Sequence, residues 1–278
     1  MSAWSHALLG ALICVGLLVV MPLGLRLVAA PGLTLVHRLW FAAAVPAAAS
    51  VWLPRGWLAA VSAAAYLPAA AALLLSAGRV VGAGHGRLPG PRAVAVATAL
   101  AAPSVAGCAL VAERAGIRLF GFELDVLALT VAHFHYAGFA AALVAGLVCT
   151  VDGDGPAGRV AALCVPAGVA VVFAGFFTSE WVELAGAAVL TAGMWLVGWL
   201  TWRRARAGAA TRGLLVTSAL TLAATMVLAL DWALGQAAGL PHLPVSWMVA
   251  THGLANALGF ALCGLVAWRR LGVRAGWR

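Results

Sequence analysis

The sequence predicts an all-α fold: a polytopic transmembrane helix bundle of about nine spans, forming a single transmembrane domain over residues 1–278, with the N-terminus outside and the C-terminus cytoplasmic. Three observations predict it. The 278 residues are 64% hydrophobic and only 9% charged, against about 25% charged in a typical soluble domain, and the mean hydropathy is +1.04. Too few polar side chains remain to cover a water-facing surface, so a water-soluble fold is excluded. Apolar runs of roughly 20 residues, the length that crosses a bilayer core, follow one another along the chain. The arginines then sort almost entirely to one side of those runs.

The first run, 6–28, is too long for a signal-peptide core and lacks a clear cleavage motif, so it reads as a retained span. Pro31-Gly32 separates it from 36–53, the shortest span, which stops at Pro54-Arg55-Gly56. The third span, 57–78, precedes a breaker-rich stretch from Gly82 to Pro91. Spans 92–112 and 124–149 follow, and Asp152-Gly153-Asp154-Gly155-Pro156 makes a turn before 159–177. The seventh, 180–202, is capped by Thr178 or Ser179, with Glu180 and Glu183 suited to the positive end of the helix dipole. The eighth and ninth, 213–235 and 247–268, flank a break from Gly239 to Pro244. Pro46, Pro68, Pro103 and Pro166 fall inside spans, where neighbouring helices can satisfy the freed carbonyls. No internal repeat, low-complexity tail or soluble domain interrupts the pattern. The five cysteines, Cys14, Cys108, Cys149, Cys164 and Cys263, form no C-x-x-C pair and read as small packing residues.

All seventeen basic residues are arginine. Fourteen fall on one side: Arg26, Arg38, Arg79, Arg87, Arg92, Arg159, Arg203, Arg204, Arg206, Arg212, Arg269, Arg270, Arg274 and Arg278. Arg55, Arg114 and Arg118 fall on the other. The positive-inside rule makes the first side cytoplasmic, and an even span count would spoil the alternation. The expected location is the bacterial cytoplasmic (inner) membrane. The net charge of +9 is thus a topology signal; no basic stripe with interleaved aromatics points to nucleic acid. The carboxylates sort the opposite way. Asp152 and Asp154 are turn residues, but Glu113, Glu123, Asp125, Glu180, Glu183 and Asp231 lie toward the outer helix ends. The positive-inside rule does not govern acids, so this second asymmetry needs its own cause.

The fifth span carries Glu123-Leu124-Asp125 and then Val131-Ala132-His133-Phe134-His135-Tyr136-Ala137-Gly138-Phe139. At about 100° per residue, Asp125, His133 and Tyr136 share an arc of about 80°, while His135 lies about 80° from Asp125 on the other flank. The two histidines are about 160° apart and are not expected to ligate one ion together. His133 lies roughly 12 Å below Asp125, near mid-bilayer, where an ionisable group is a functional candidate by default; the bland alternative is interhelical hydrogen bonding. In the ninth span His252 and Asn256, at i and i+4, share a face, beside a small-residue stripe of Gly253, Ala257 and Ala261. Asp231 sits near the C-terminal end of the eighth span, where the dipole disfavours an anion. Packed together, Asp125, His133, His135, Tyr136, Glu183, Asp231, His252 and Asn256 would make an acidic, histidine-bearing pocket in the outer half, with Phe139, Trp181, Trp232 and Trp247 against a substrate. His37 reads as interfacial; His6, His85 and His242 read as loop or boundary residues.

The Val131–Phe139 and Thr251–Phe260 runs, with the helix count, resemble the bacterial YndJ-like membrane family. That resemblance implies a polytopic membrane protein and no settled activity. Val131-Ala132-His133-Phe134-His135-Tyr136 is also similar to the haem-ligating helix of haem–copper oxidase subunit I, where the two histidines point to opposite sides and ligate two haems. The rest departs from that family: nine spans rather than twelve, no adjacent His-His pair and no His-Pro-Glu segment.

Three functions follow as expectations. The first is a membrane-embedded enzyme acting on a lipid-soluble, isoprenoid-like molecule by protonation-initiated cyclisation or isomerisation. Asp231 or Asp125 would be the acid, His133 or His252 the base or orienting partner, and aromatic faces would stabilise cationic character. The second is a proton, cation or small-solute transporter, against which the lack of an inverted repeat argues. The third is haem or metal binding, with one haem held by His133 or His135 together with His252. No cofactor is favoured by the sequence, although haem or a divalent metal stays open; no H-x-x-x-H or H-E-x-x-H occurs. The partners expected are the lipid bilayer and a lipid-soluble small molecule, with oligomeric state open.

Overall fold

In a computed structural model, which describes residues 1–30, 32–83, 88–153, 155–203 and 207–276, the described residues hold nine helices long and apolar enough to cross a membrane. They are α1 (Ala3–Leu25), α2 (Leu33–Ser50), α3 (Trp57–Gly82), α4 (Pro91–Ala115), α5 (Leu124–Val151), α6 (Pro156–Gly175), α7 (Glu180–Arg203), α8 (Ala209–Ala238) and α9 (Val245–Arg270). Each predicted span has its helix, so the multi-pass, all-α expectation holds. Prolines open α4 and α6 at their first positions, where no backbone N–H is needed, and Gly116 and Gly239 close α4 and α8 in the left-handed conformation. The readings of His85 and Asp154, and of Arg87, Arg204, Arg206 and Arg278, lie outside the described residues.

The nine helices are not equivalent. Eight form a closed ring in which α1 packs on α2, α2 on α3, α3 on α4, α4 on α6, then α6 on α7, α7 on α8, α8 on α9 and α9 back on α1. The fifth runs through the middle and contacts α1, α4, α6, α7 and α9. Small residues let α6 and α7 approach most closely: a side chain at Gly168, Gly186 or Gly193 would meet the partner's backbone. At the arginine-rich end the segment after α1 meets the segment after α9. A two-residue strand β1 (Val28–Ala29) pairs in parallel with β2 (Ala275–Gly276), a closure that no periodicity in the sequence announced.

The core is uneven along the bundle axis. Gly138 to Cys149 of α5 are all buried, so the arginine-rich half of the central helix is enclosed around its full circumference. Toward the other end, Ala128, Leu129 and Thr130 are half-buried and His133 is exposed. There α5 packs principally on α1 and α4, and α9 joins it only from the Phe134–Ala141 segment onward. An accessible side chain halfway along the central helix of a ring means a hollow beside it. On the far side of that hollow every residue from Ala250 to Asn256 of α9 is half-buried, whichever way it points.

Among the described residues four π-helical segments occur, on α1 (Gly16–Val20), α5 (Phe134–Ala141) and α9 (Val249–Gly253 and Asn256–Leu262). Gly16–Val20, Phe134–Ala141 and Asn256–Leu262 pack against one another, and Val249–Gly253 packs on α1 and α8. A π turn inserts a residue into the helical ladder and leaves carbonyls to find other donors, and such turns concentrate at functional sites. They carry His135, Tyr136, His252 and Asn256, and His133 immediately precedes one of them.

Candidate functional site: a histidine pair beside a hollow

The polar residues singled out by sequence divide into three groups, so the single convergent pocket expected above does not form. The first group fastens the bundle at its arginine-poor end. Asp125 accepts from the Met1 amine at 3.0 Å and contacts Nε2 of His6 at 2.8 Å. His6, read from the sequence as a loop or boundary residue, ties α1 to α5 through its contact with Asp125. Trp247 stacks edge to face with Trp4 at 6.0 Å on the exposed rim, next to a bond between Ser5 and Ser246.

The second group faces α1, α2 and α3 and is sealed. His135 is fully buried; its Nδ1–H donates to the Val131 carbonyl at 2.7 Å, and the Tyr66 hydroxyl donates to its Nε2 at 3.1 Å. Tyr66 stands edge-on to Trp40, whose Nε1–H donates to Leu17 O within the α1 π segment. The Tyr136 hydroxyl donates to Leu12 O at 2.7 Å, and buried Phe139 lies in the space left by Gly24. A side chain at Gly16 would come within 3.2 Å of His135 Cβ, so α1 closes directly over that histidine. With both ring nitrogens satisfied and no accessible surface, His135 holds helices together. Tyr136, grouped with His133 by the 100° rule, is turned to the same side as His135 together with Phe139, because the π segment widens the turns after His133.

The third group borders the hollow. His133 donates its Nδ1–H to Leu129 O at 2.9 Å, one turn back on its own helix. A carbonyl only accepts, so the proton is on Nδ1 and the Nε2 lone pair is left for a partner. From the opposite side, His252 of α9 donates Nδ1–H to the Thr225 carbonyl of α8 at 2.9 Å. Its Nε2 faces the Asn256 amide nitrogen at 3.3 Å, and Asn256 Oδ1 lies 2.9 Å from Thr225 Oγ1. The imidazoles of His133 and His252 are near enough to interact electrostatically. Both rings are thus held at Nδ1 by a backbone carbonyl; Nε2 of His133 is left for chemistry, whereas Nε2 of His252 accepts from the Asn256 amide.

An aromatic cluster begins at the residue next to His133 in the chain. Phe134 stands edge-on to Phe173 of α6 at 5.3 Å, Phe173 to Phe177 at 5.4 Å, and Phe177 to Phe122 at 5.2 Å. With Phe120 and Phe176, six of the nine phenylalanines in the chain join this one ladder. It climbs from the residue beside His133 to the exposed rim, where Phe120 has a left-handed backbone, φ 56. Trp181 is exposed at the start of α7. Trp232 stacks edge-on with His242 at 5.9 Å.

The acids separate by partner. Glu113 is buried and binds both Arg55 and Arg114, and Glu123 pairs with Arg118 at 2.9 Å. Arg114 also donates to the Ser50, Val51 and Leu53 carbonyls at the end of α2. Every arginine on the arginine-poor side is therefore paired with a carboxylate. Among the described residues Glu180, Glu183 and Asp231 have no ion-pair partner; Glu183 is half-buried against Gly175, and Asp231 is exposed. Asp231 lies six residues beyond Thr225, about 9 Å further along α8 and about a third of a turn round, so it does not join the histidine network.

Sequence reasoning missed Thr225 and Tyr66. A lone hydroxyl in an apolar span carries little signal, although Thr221 and Thr225, spaced i, i+4, mark one face of α8. Among the described residues no group of three or more His, Cys, Asp or Glu is placed to hold a metal ion. A family model described as YndJ-like protein matches residues 11–260. No significant match occurs among curated proteins or among solved structures.

Proposed function

We propose that this chain, which belongs to the YndJ-like family, is a membrane-embedded enzyme that moves protons on a lipid-soluble, isoprenoid-like substrate, with His133 and His252 as its acid–base pair. The observation that carries the reading is the pairing itself. Two imidazoles from different helices, each held by a carbonyl at Nδ1, border one hollow inside an apolar bundle. Orientation of the ring by a fixed Nδ1–H is what general acid–base catalysis needs, because the reacting nitrogen must be aimed before the proton moves. The phenylalanine ladder suits an apolar, unsaturated chain and excludes polar substrates. With the arginine-rich end cytoplasmic, the hollow lies in the outer half of a bacterial inner membrane.

Isomerisation is favoured over cyclisation. One imidazole removes a proton from a carbon acidified by a neighbouring carbonyl or conjugated system, and the other returns a proton elsewhere on the same framework. Direct protonation of an isolated alkene needs a stronger acid at the reacting carbon, and the unpaired carboxyls of Glu183 and Asp231 lie outside the histidine network. A second reading has its own support. Histidines that ligate metals commonly donate the other ring N–H to a carbonyl, and two axial imidazoles suffice for one haem.

The test is lipid extraction from a host supplied with polyprenyl and quinone precursors in deuterated water. The wild-type protein should produce a rearranged, deuterium-labelled lipid, and His133→Ala or His252→Ala should reduce it by about 10²–10⁴-fold. A lipid profile identical to that of cells lacking the protein, across the precursor panel, overturns the enzymatic reading. A Soret band in the purified protein that is lost in both variants would replace it with the haem reading.

A further inference from the structure

The hydrogen bonds around Thr225 can close in more than one arrangement. Its hydroxyl has one hydrogen, yet two acceptor oxygens lie within bonding distance: Thr221 O at 2.8 Å and Asn256 Oδ1 at 2.9 Å. Asn256 also reaches His252 Nε2 at 3.3 Å, and His252 Nδ1 reaches Thr225 O at 2.9 Å. Two complete hydrogen-bond patterns fit these heavy-atom positions. In one, the Thr225 hydroxyl donates to Asn256 Oδ1, the Asn256 amide donates to His252 Nε2, and His252 Nδ1–H donates to Thr225 O. The imidazole is neutral. In the other, the amide is turned by half a rotation about its last bond. The Thr225 hydroxyl then donates to Thr221 O, Asn256 N–H donates to Thr225 Oγ1, and Asn256 Oδ1 accepts from His252 Nε2–H. Because Nδ1 still donates, that ring carries both protons. Each acceptor of Thr225 serves one state, and each state uses one of the two Asn256 amide hydrogens.

We propose that Asn256 and Thr225 form a proton-coupled amide switch that lets His252 take up and give back one proton at Nε2 without leaving that nitrogen unpaired. Asn256 and Thr225 are positioning residues; His252 carries the proton. The step balances simply: a proton arrives at the Nε2 lone pair, the amide turns its oxygen toward the new N–H, and the reverse rotation accompanies its departure. No electron moves and no bond other than N–H forms or breaks. The need for such a device follows from the setting, since a cation in an apolar bundle is costly unless an acceptor is already in reach. The titratable group that approaches from α5 is His133. From α8 the nearest along the helix is Asp231, about 9 Å beyond Thr225. Nearer the rim α1 contributes His6, engaged with Asp125, and against Gly253 it places only Leu12.

This inference rests on the histidine pair being the proton-transfer centre, but its test reads protonation rather than turnover. The full-length protein, labelled with ¹⁵N-histidine and reconstituted in phosphatidylcholine bilayers, is titrated by solid-state NMR, with His252→Gln assigning the signal. Wild-type His252 should show a neutral form protonated on Nδ1 and a doubly protonated form on acidification. Asn256→Leu, which cannot accept, should lower the titration midpoint by about one pH unit or more, and Asn256→Asp should raise it by a similar amount. Thr225→Val, close in shape to threonine, should shift it in the direction of Asn256→Leu. Midpoints that stay within about 0.3 units of wild type in both Asn256 variants overturn the switch, as does a neutral form protonated on Nε2. If the midpoints move as stated while no lipid is rearranged, the switch stands and the enzymatic reading fails; labelled product with unmoved midpoints does the reverse.

Discussion

The α8–α9 contact that presents Thr225 to His252 and Asn256 depends on Gly259. A Cβ at that position would lie 3.0 Å from Thr221 Cγ2, 3.2 Å from Thr221 Cβ and closer still to Thr221 Oγ1. Rotating Thr221 does not remove the conflict. Its two γ atoms fill two of three staggered positions, so one always remains toward the new methyl, and Cβ itself does not move. Ordinary carbon contacts need about 3.5–4.0 Å, so Gly259→Ala forces α8 and α9 apart by roughly half an ångström. Overpacking of this kind costs about 1–3 kcal/mol. It also stretches the two 2.9 Å bonds from Thr225 toward the length at which hydrogen bonds lose their value. The assay is reversible unfolding in mixed detergent micelles as a double-mutant cycle. Gly259→Ala alone should lose about 1–3 kcal/mol, whereas Gly259→Ala combined with Thr221→Ala, which removes both γ atoms, should fall close to Thr221→Ala alone. The coupling should then be about 1–2 kcal/mol, well above the few tenths seen for independent sites. A neutral Gly259→Ala, or strictly additive effects, would refute the close approach and with it the placement of Thr225 against His252.

The same physics sets other expected outcomes. Glu113→Gln removes the shared carboxylate from two guanidinium groups, one of them buried, and should destabilise the protein by about 3–5 kcal/mol in the same micelle assay. Tyr66→Phe leaves His135 Nε2 buried without its donor and should cost about 1–3 kcal/mol in stability while leaving lipid turnover near wild type; loss of turnover at full stability would make His135 a functional group. Reporter fusions at the C-terminus should be active only as cytoplasmic reporters, and a periplasmic signal would reverse the orientation taken from the arginines.

Span number and order were legible because they follow from the length of apolar run that a bilayer demands, and no tertiary detail competes with that signal. Boundaries were less so: α8 extends to 30 residues, because its ends are set by glycines flanking the apolar stretch. At the site, residue types were informative and angles were not. The 100° rule put Tyr136 with His133 and left His135 apart, but it presumes an unbroken α-helix, and the π segment begins at Phe134. Asp125 looked free since its partner His6 is 119 residues away in the chain, a distance over which periodicity says nothing. Thr225 was invisible for a related reason: what it contributes to His252 is a backbone carbonyl, and every residue has one.

The acidic asymmetry now divides into two causes. Three arginines break the positive-inside pattern, and each is held by a carboxylate on the same side. A paired guanidinium is nearly neutral as a topological signal, so the count that opposes orientation falls from three toward none. Glu113, Glu123 and Asp125 are thus accounted for by packing, the last through His6 and the Met1 amine. Glu180, Glu183 and Asp231 are left, all on the neighbouring ring helices α7 and α8. An unpaired carboxylate in the first turn of α7 gains from the helix dipole, so Glu180 and Glu183 can be stable without a partner. Asp231, near the C-terminal end of α8, gains nothing from that source. Asp231→Asn should therefore leave stability unchanged or slightly raised. If it also slows lipid turnover, the group acts on a proton entering or leaving the hollow rather than on the fold, whereas unchanged turnover would confine proton traffic to the two histidines.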